Sequence, residues 1–125
     1  MATVLSIAIF GALGCLARYW LSGWVNRLLG QHSFPFGTLV VNLLGAFLIG
    51  LVIEFSLRSS MVSHQLRIAL TIGLLGGLTT FSTFSIETFT LLERGQILIA
   101  FGNVLLSVTL CLLATWAGIV VARLV

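Results

Sequence analysis

Four apolar runs, each long enough to cross a bilayer, occupy most of this sequence. Hydrocarbon about 30 Å thick takes about 20 apolar residues in helical form. The expected helices are 3–25, 34–57, 66–92 and 96–124. Arg18 interrupts the first run, and Pro35 precedes the second, where proline suits a helix start. Polar residues fill 58–67, and "ERG" at 93–95 makes a short turn. Charged residues are only 7% of the chain, against about 25% in soluble domains. So few charges cannot cover a water-exposed surface. The expectation is an all-α membrane protein with one four-helix domain over 1–125 and both termini on one side. The first run has no positive residue before it and outlasts a signal-peptide core, so it reads as a retained helix.

The six basic residues are all Arg and the three acids are all Glu. No basic cluster forms a nucleic-acid surface. Arg58, Arg67 and Arg123 fall on the side of the termini. Arg27 and Arg94 fall on the other, joined by Arg18 if it snorkels there. Excess Arg and Lys in cytoplasmic loops normally sets orientation. This near-balance predicts insertion both ways up, and opposite orientations would pair as an antiparallel homodimer. Size argues the same way, because four helices hardly enclose a polar path alone. Gly73 and Gly77, and Ala114, Gly118 and Ala122, are small residues at four-residue spacing that suit close helix approach, within the chain or between chains.

The stretch "GGLTTFSTFSIET", 76–88, sets glycines and hydroxyls inside the third run. Gly76 and Gly77 weaken a helix, and Thr79, Thr80, Ser82 and Thr83 compete for backbone hydrogen bonds. Irregular backbone at membrane depth persists only when buried in protein or lining water. The third helix is therefore expected to break near the midplane and to free carbonyls that suit a hard cation such as Na⁺. The plainer alternative is a kink whose groups are satisfied internally. Phe81 and Phe84 share a helical face. They are core packing, or rings whose positive edges face an anion while nearby hydroxyls donate to it.

Asn42 is a costly amide inside the second run unless satisfied. Asn103 and Ser107 share a face of the fourth helix, which Cys111 continues. Cys15 and Cys111 have no disulfide or metal spacing and read as small buried hydrophobes. Glu87 is the one acid deep in a run: a proton or cation site, or a carboxylate tied to hydroxyls and backbone. Arg18 supplies an inward positive potential or snorkels.

With "GALGCLARY", "FPFGTLVVNLLGAFLIG", "GLLGGLTTFSTFSIET" and "LLERG" in this order, the chain resembles the Fluc fluoride-channel family, also called CrcB, over its whole length. The resemblance implies a dual-topology antiparallel homodimer with two fluoride pores in a lipid bilayer. Phe81 and Phe84 would be the rings whose edges meet fluoride, and Asn42 the pore-lining amide. Gly76 and Thr79 would offer carbonyls to a structural Na⁺ shared by both subunits. Thr80, Ser82 and Thr83 would flank the polar track, Ser107 would supply a fourth-helix hydroxyl, and Asn103 would lie on the same face. Arg18 would stand in the aqueous vestibule and Glu87 would be the supporting acid.

The function expected is passive fluoride export across a bacterial plasma membrane, without enzymatic chemistry. No nucleotide-binding P-loop is present to drive it. The alternative is a small proton-coupled multidrug exporter of four-helix, dual-topology type. Such proteins carry a membrane-embedded Glu in the first helix, where this chain has none. A non-transporting accessory subunit would need no polar break.

Overall fold

In hydrocarbon each backbone N–H and C=O must be bonded within the protein, so apolar runs fold as helices. The computed structural model of this chain describes residues 1–30, 32–59 and 61–125. Gln31 and Ser60, both in expected loops, lie outside the described residues. Helix α1 is Ala2–Leu29 and α2 is Phe36–Arg58. The third run divides into α3 (His64–Ile68), a π-helical stretch (Ala69–Leu75), α4 (Gly76–Leu78) and α5 (Phe81–Glu93). The last helix, α6, is Ile97–Leu124. Four segments are long and apolar enough to span a membrane: 2–29, 36–58, 64–93 and 97–124. The chain is an all-helical, multi-pass membrane protein.

Local chemistry sets the ends. Gly30, with φ 74°, closes α1 in a conformation that favours glycine. Helix α1 thus runs on past Val25, because Asn26 and Arg27 extend it above the apolar stretch. Asn26 Oδ1 then accepts from Gly37 N at 3.1 Å and satisfies a donor in the first turn of α2. Ser63 caps α3 by accepting from Leu66 N. Gly95, φ 72°, makes the tight turn into α6.

Side-chain contacts fix which ends lie together. Gln65 donates to Ser6 and Arg58 donates to the carbonyl of Arg123. At the opposite end Gln96 donates to Ser33. Arg123 also pairs with Glu54 at 2.9 Å, an interaction worth little where it is exposed.

Lipid tails are as apolar as leucine, so helix pairing rests on close packing. Helices α2 and α6 run side by side, with Gly50 against the Thr115 carbonyl and Gly118 against that of Phe47. Helix α1 meets the third span likewise. A Cβ at Gly77 would lie 2.5 Å from the Gly11 carbonyl, and one at Gly73 would lie 2.9 Å from Phe10 Cβ. The small-residue pairs 73/77 and 118/122 are thus spent within the chain. Large apolar side chains such as Leu98, Phe101, Leu112 and Trp116 face outward. Tyr19, Trp20 and Trp24 are exposed toward one end of α1, where amphipathic rings suit the lipid headgroup level.

Candidate functional site

Where the third run was expected to loosen at its glycines, those glycines are helical. Gly76 N instead bonds back to Gly73 O and Thr71 O as the π-helical stretch ends. The extended residues are Thr79 (φ −84°, ψ 156°) and Thr80 (φ −151°, ψ 114°). Gly77 serves packing, since it lies under α1, and the hydroxyl residues carry the extended turn.

Asn42 on α2 faces this turn. Its Oδ1 accepts from Thr80 N at 2.8 Å and its Nδ2 donates to Thr80 O at 3.2 Å. In an uninterrupted helix Thr80 N would donate to Gly76 O. The asparagine takes that donor and leaves the Gly76 carbonyl unclaimed. One residue on, Thr80 Oγ1 accepts from Thr83 N at 3.2 Å as the cap of α5. Thr83 N is thereby diverted from Thr79 O. The carbonyls of Gly76 and Thr79 thus lose their helical partners, as do those of Gly77 and Leu78 at the end of α4.

These groups border a groove of about 360 Å³ between α2, the third span and α6. Asn42, Gly45, Ala46 and Ile49 form one wall, and Ser107, Val108 and Cys111 another. Thr71, Leu75, Gly76, Thr79, Thr80, Phe81 and Phe84 complete it. The Phe81 and Phe84 ring centroids are 5.4 Å apart and tilted by 44°. Phe81 is 78% exposed, an open side to the groove. An amide has two N–H donors, so Asn42 keeps one after bonding Thr80 O.

The other expected residues lie outside this groove's wall. Ser82 is exposed, 3.4 Å from Thr80 Oγ1, and Thr83 accepts from Thr80 Oγ1 at 2.9 Å. Asn103 is 1% exposed and sits behind the wall. It donates to Thr88 Oγ1 at 2.8 Å and accepts from Ser107 Oγ at 3.3 Å. Arg18 is half-buried on α1, with Cys15 Sγ 3.8 Å away, and borders neither this groove nor the one below.

Glu87 borders a second, more polar groove of about 510 Å³, with Asn26, His32, Ser33, Thr90 and Arg94 on its wall. Its Oε1 accepts from Thr38 Oγ1 at 2.8 Å, while Oε2 is buried without a partner among the described residues. One of its two oxygens is thus tied to a hydroxyl, supplied by α2. Thr38 and Thr88 went unremarked in the sequence. Thr38 stands one turn before Asn42 and Thr88 one turn after Phe84, a spacing that flags both.

Four spanning helices define the class: a multi-pass membrane protein, here with a largely apolar groove between α2, the third span and α6. The chain belongs to the CrcB family, described as CrcB-like protein, Camphor Resistance (CrcB), which matches residues 5–119. It is 68% identical to a fluoride-specific ion channel FluC of Geotalea uraniireducens, over 98% of both chains. It is 67% identical to one of Geotalea daltonii and 63% to one of Geobacter metallireducens, over the same share.

Proposed function

We propose that this chain is a fluoride-selective channel, not an enzyme, that lowers cytoplasmic fluoride by passive export. It works as a dual-topology antiparallel homodimer with two pores in a bacterial inner membrane. The groove carries the reading: two phenyl rings stand beside a backbone turn opened by Asn42. Near-full-length relatives named as fluoride-specific channels support it, and their organisms support the membrane assigned.

Selectivity in channels comes from pore size and from the groups that replace an ion's water. Ring edges are weakly positive, and hydroxyl and amide N–H groups donate. The ring edges of Phe81 and Phe84 and the second N–H of Asn42 therefore offer a small anion contacts without a full positive charge, while the Thr80 and Ser107 hydroxyls on the same wall donate to Thr83 and Asn103. Release stays easy for the same reason. Ser82, Thr83 and Asn103 border this track, Arg18 adds positive potential at the vestibule, and Glu87 is the supporting acid beside the second groove.

The break of the third span near the membrane midplane belongs to this reading. So does Na⁺: oxygen ligands suit a hard cation, and the Gly76 and Thr79 carbonyls are among those the turn leaves without a helical partner. One chain offers two; an antiparallel partner would add the same pair. Bound there, the ion would lock the two turns together by charge. A proton-coupled drug exporter is not favoured, because the groove wall carries no acid.

The test is efflux from liposomes holding the purified protein. Fluoride should leave without a proton gradient, and chloride should stay. Chloride efflux at the same rate, or an absolute need for a proton gradient, contradicts the proposal.

A further inference from the structure

We propose that Asn103 is a positioning residue which, through Thr88, holds Phe84 at the groove; the proposal rests on the fluoride-channel reading. Ser107 Oγ donates to Asn103 Oδ1, Asn103 Nδ2 donates to Thr88 Oγ1, and Thr88 Oγ1 donates to Phe84 O at 2.7 Å. The direction of this chain is fixed. A threonine hydroxyl has one proton, and here it goes to the Phe84 carbonyl, so its lone pair takes the Asn103 proton. Asn103, 1% exposed, thereby commits its oxygen and one of its two N–H groups within the protein.

The placement matters because, apart from the Thr38–Glu87 bond to α2, α5 has little apolar burial to hold it. Leu91 is the one buried residue among the described residues of α5. Phe84 stands almost two turns before it, on a stretch whose residues are exposed or partly buried. Sparse apolar burial leaves a helix segment free to shift. The polar relay ties this stretch to α6 at the level of the rings. It also links Ser107, on the groove wall, to Phe84 across the wall, so the two sides of the groove keep a fixed spacing.

The experiment compares Thr88→Val, Asn103→Leu, their double variant and Thr88→Ser in the reconstituted protein. Efflux is read per assembled protein, alongside hydrogen exchange of the backbone over 84–92. Each of the first two should lower fluoride efflux about tenfold, because small misplacements at a site are costly. The double variant should fall no further than the worse single one, as for residues in one network. Thr88→Ser keeps the hydroxyl and should restore efflux, with exchange like that of the original protein. Exchange over 84–92 should quicken in both disrupting variants. If Asn103→Leu does not assemble, Thr88→Val with its serine rescue decides. A normal rate in Thr88→Val, or losses that multiply in the double variant, overturns the relay and returns Asn103 to an independent role. Absence of fluoride efflux from the original protein overturns the channel reading instead; the exchange data then judge the relay, and unchanged exchange in both variants overturns it.

Discussion

Asn42 and Thr80 form a reciprocal pair across two helices: the side-chain amide of one accepts from the backbone N–H of the other and donates to its carbonyl. The amide stands in for the missing rung of the helix. Asn42→Leu removes both bonds and leaves two backbone groups at a partly buried site, at a cost of about 1–3 kcal/mol. Asn42→Asp keeps the acceptor but sets an oxygen against the Thr80 carbonyl. Both variants should lower thermal stability and efflux together. Unchanged melting by size-exclusion after heating would show that the pair does not maintain the turn.

Helix α1 depends on close approach. A side chain at Gly14 would enter the backbone of Leu74 and Leu78, while Gly23 has nothing within 4 Å of such a group. Gly14→Ala should destabilise by about 1–3 kcal/mol, as overpacking does. Gly23→Ala should be neutral or stabilising by up to about 1 kcal/mol, since alanine suits a helix better. The same heating assay checks the contrast. Equal behaviour of the two would refute the packing assigned to α1.

These contrasts mark what the sequence discloses. Apolar length alone locates four spans, because lipid forbids irregular backbone there. The hydroxyl-rich stretch 76–88 contains the extended pair. It misleads about which residues leave the helix: Gly-Gly looks like the weak point, yet both glycines are helical, and Gly77 packs against α1. The extended pair is chosen by Asn42, a residue far away in sequence. The same holds for Glu87, whose Thr38 partner lies on another helix, and for Asn103, whose amide looks like a groove donor until Thr88 is placed beside it. Helical spacing shows which residues share a face. It does not show what the facing helix presents.

Orientation follows from the arginines. Arg58, Arg67 and Arg123 on one end are nearly matched by Arg27 and Arg94, with Arg18, on the other. Reporters fused to the termini should be found on both sides of the membrane at native expression. A single orientation would contradict the antiparallel dimer.

The cation has its own test. Replacing Na⁺ throughout purification with a large organic cation should destabilise the dimer and slow efflux, and restoring Na⁺ should reverse both. Full stability and efflux after exhaustive replacement would remove the ion from the account.

The most direct measurement concerns the rings of Phe81 and Phe84, 5.4 Å apart beside the groove. Isoleucine keeps apolar bulk but lacks the positive ring edge. Fluoride efflux is measured per assembled dimer in Phe81→Ile and Phe84→Ile, with size-exclusion profiles for assembly. Each variant should assemble and lose at least about tenfold in efflux, the scale on which removing one preorganised donor acts. Normal efflux per dimer in both would contradict the central claim that these rings face the permeating ion.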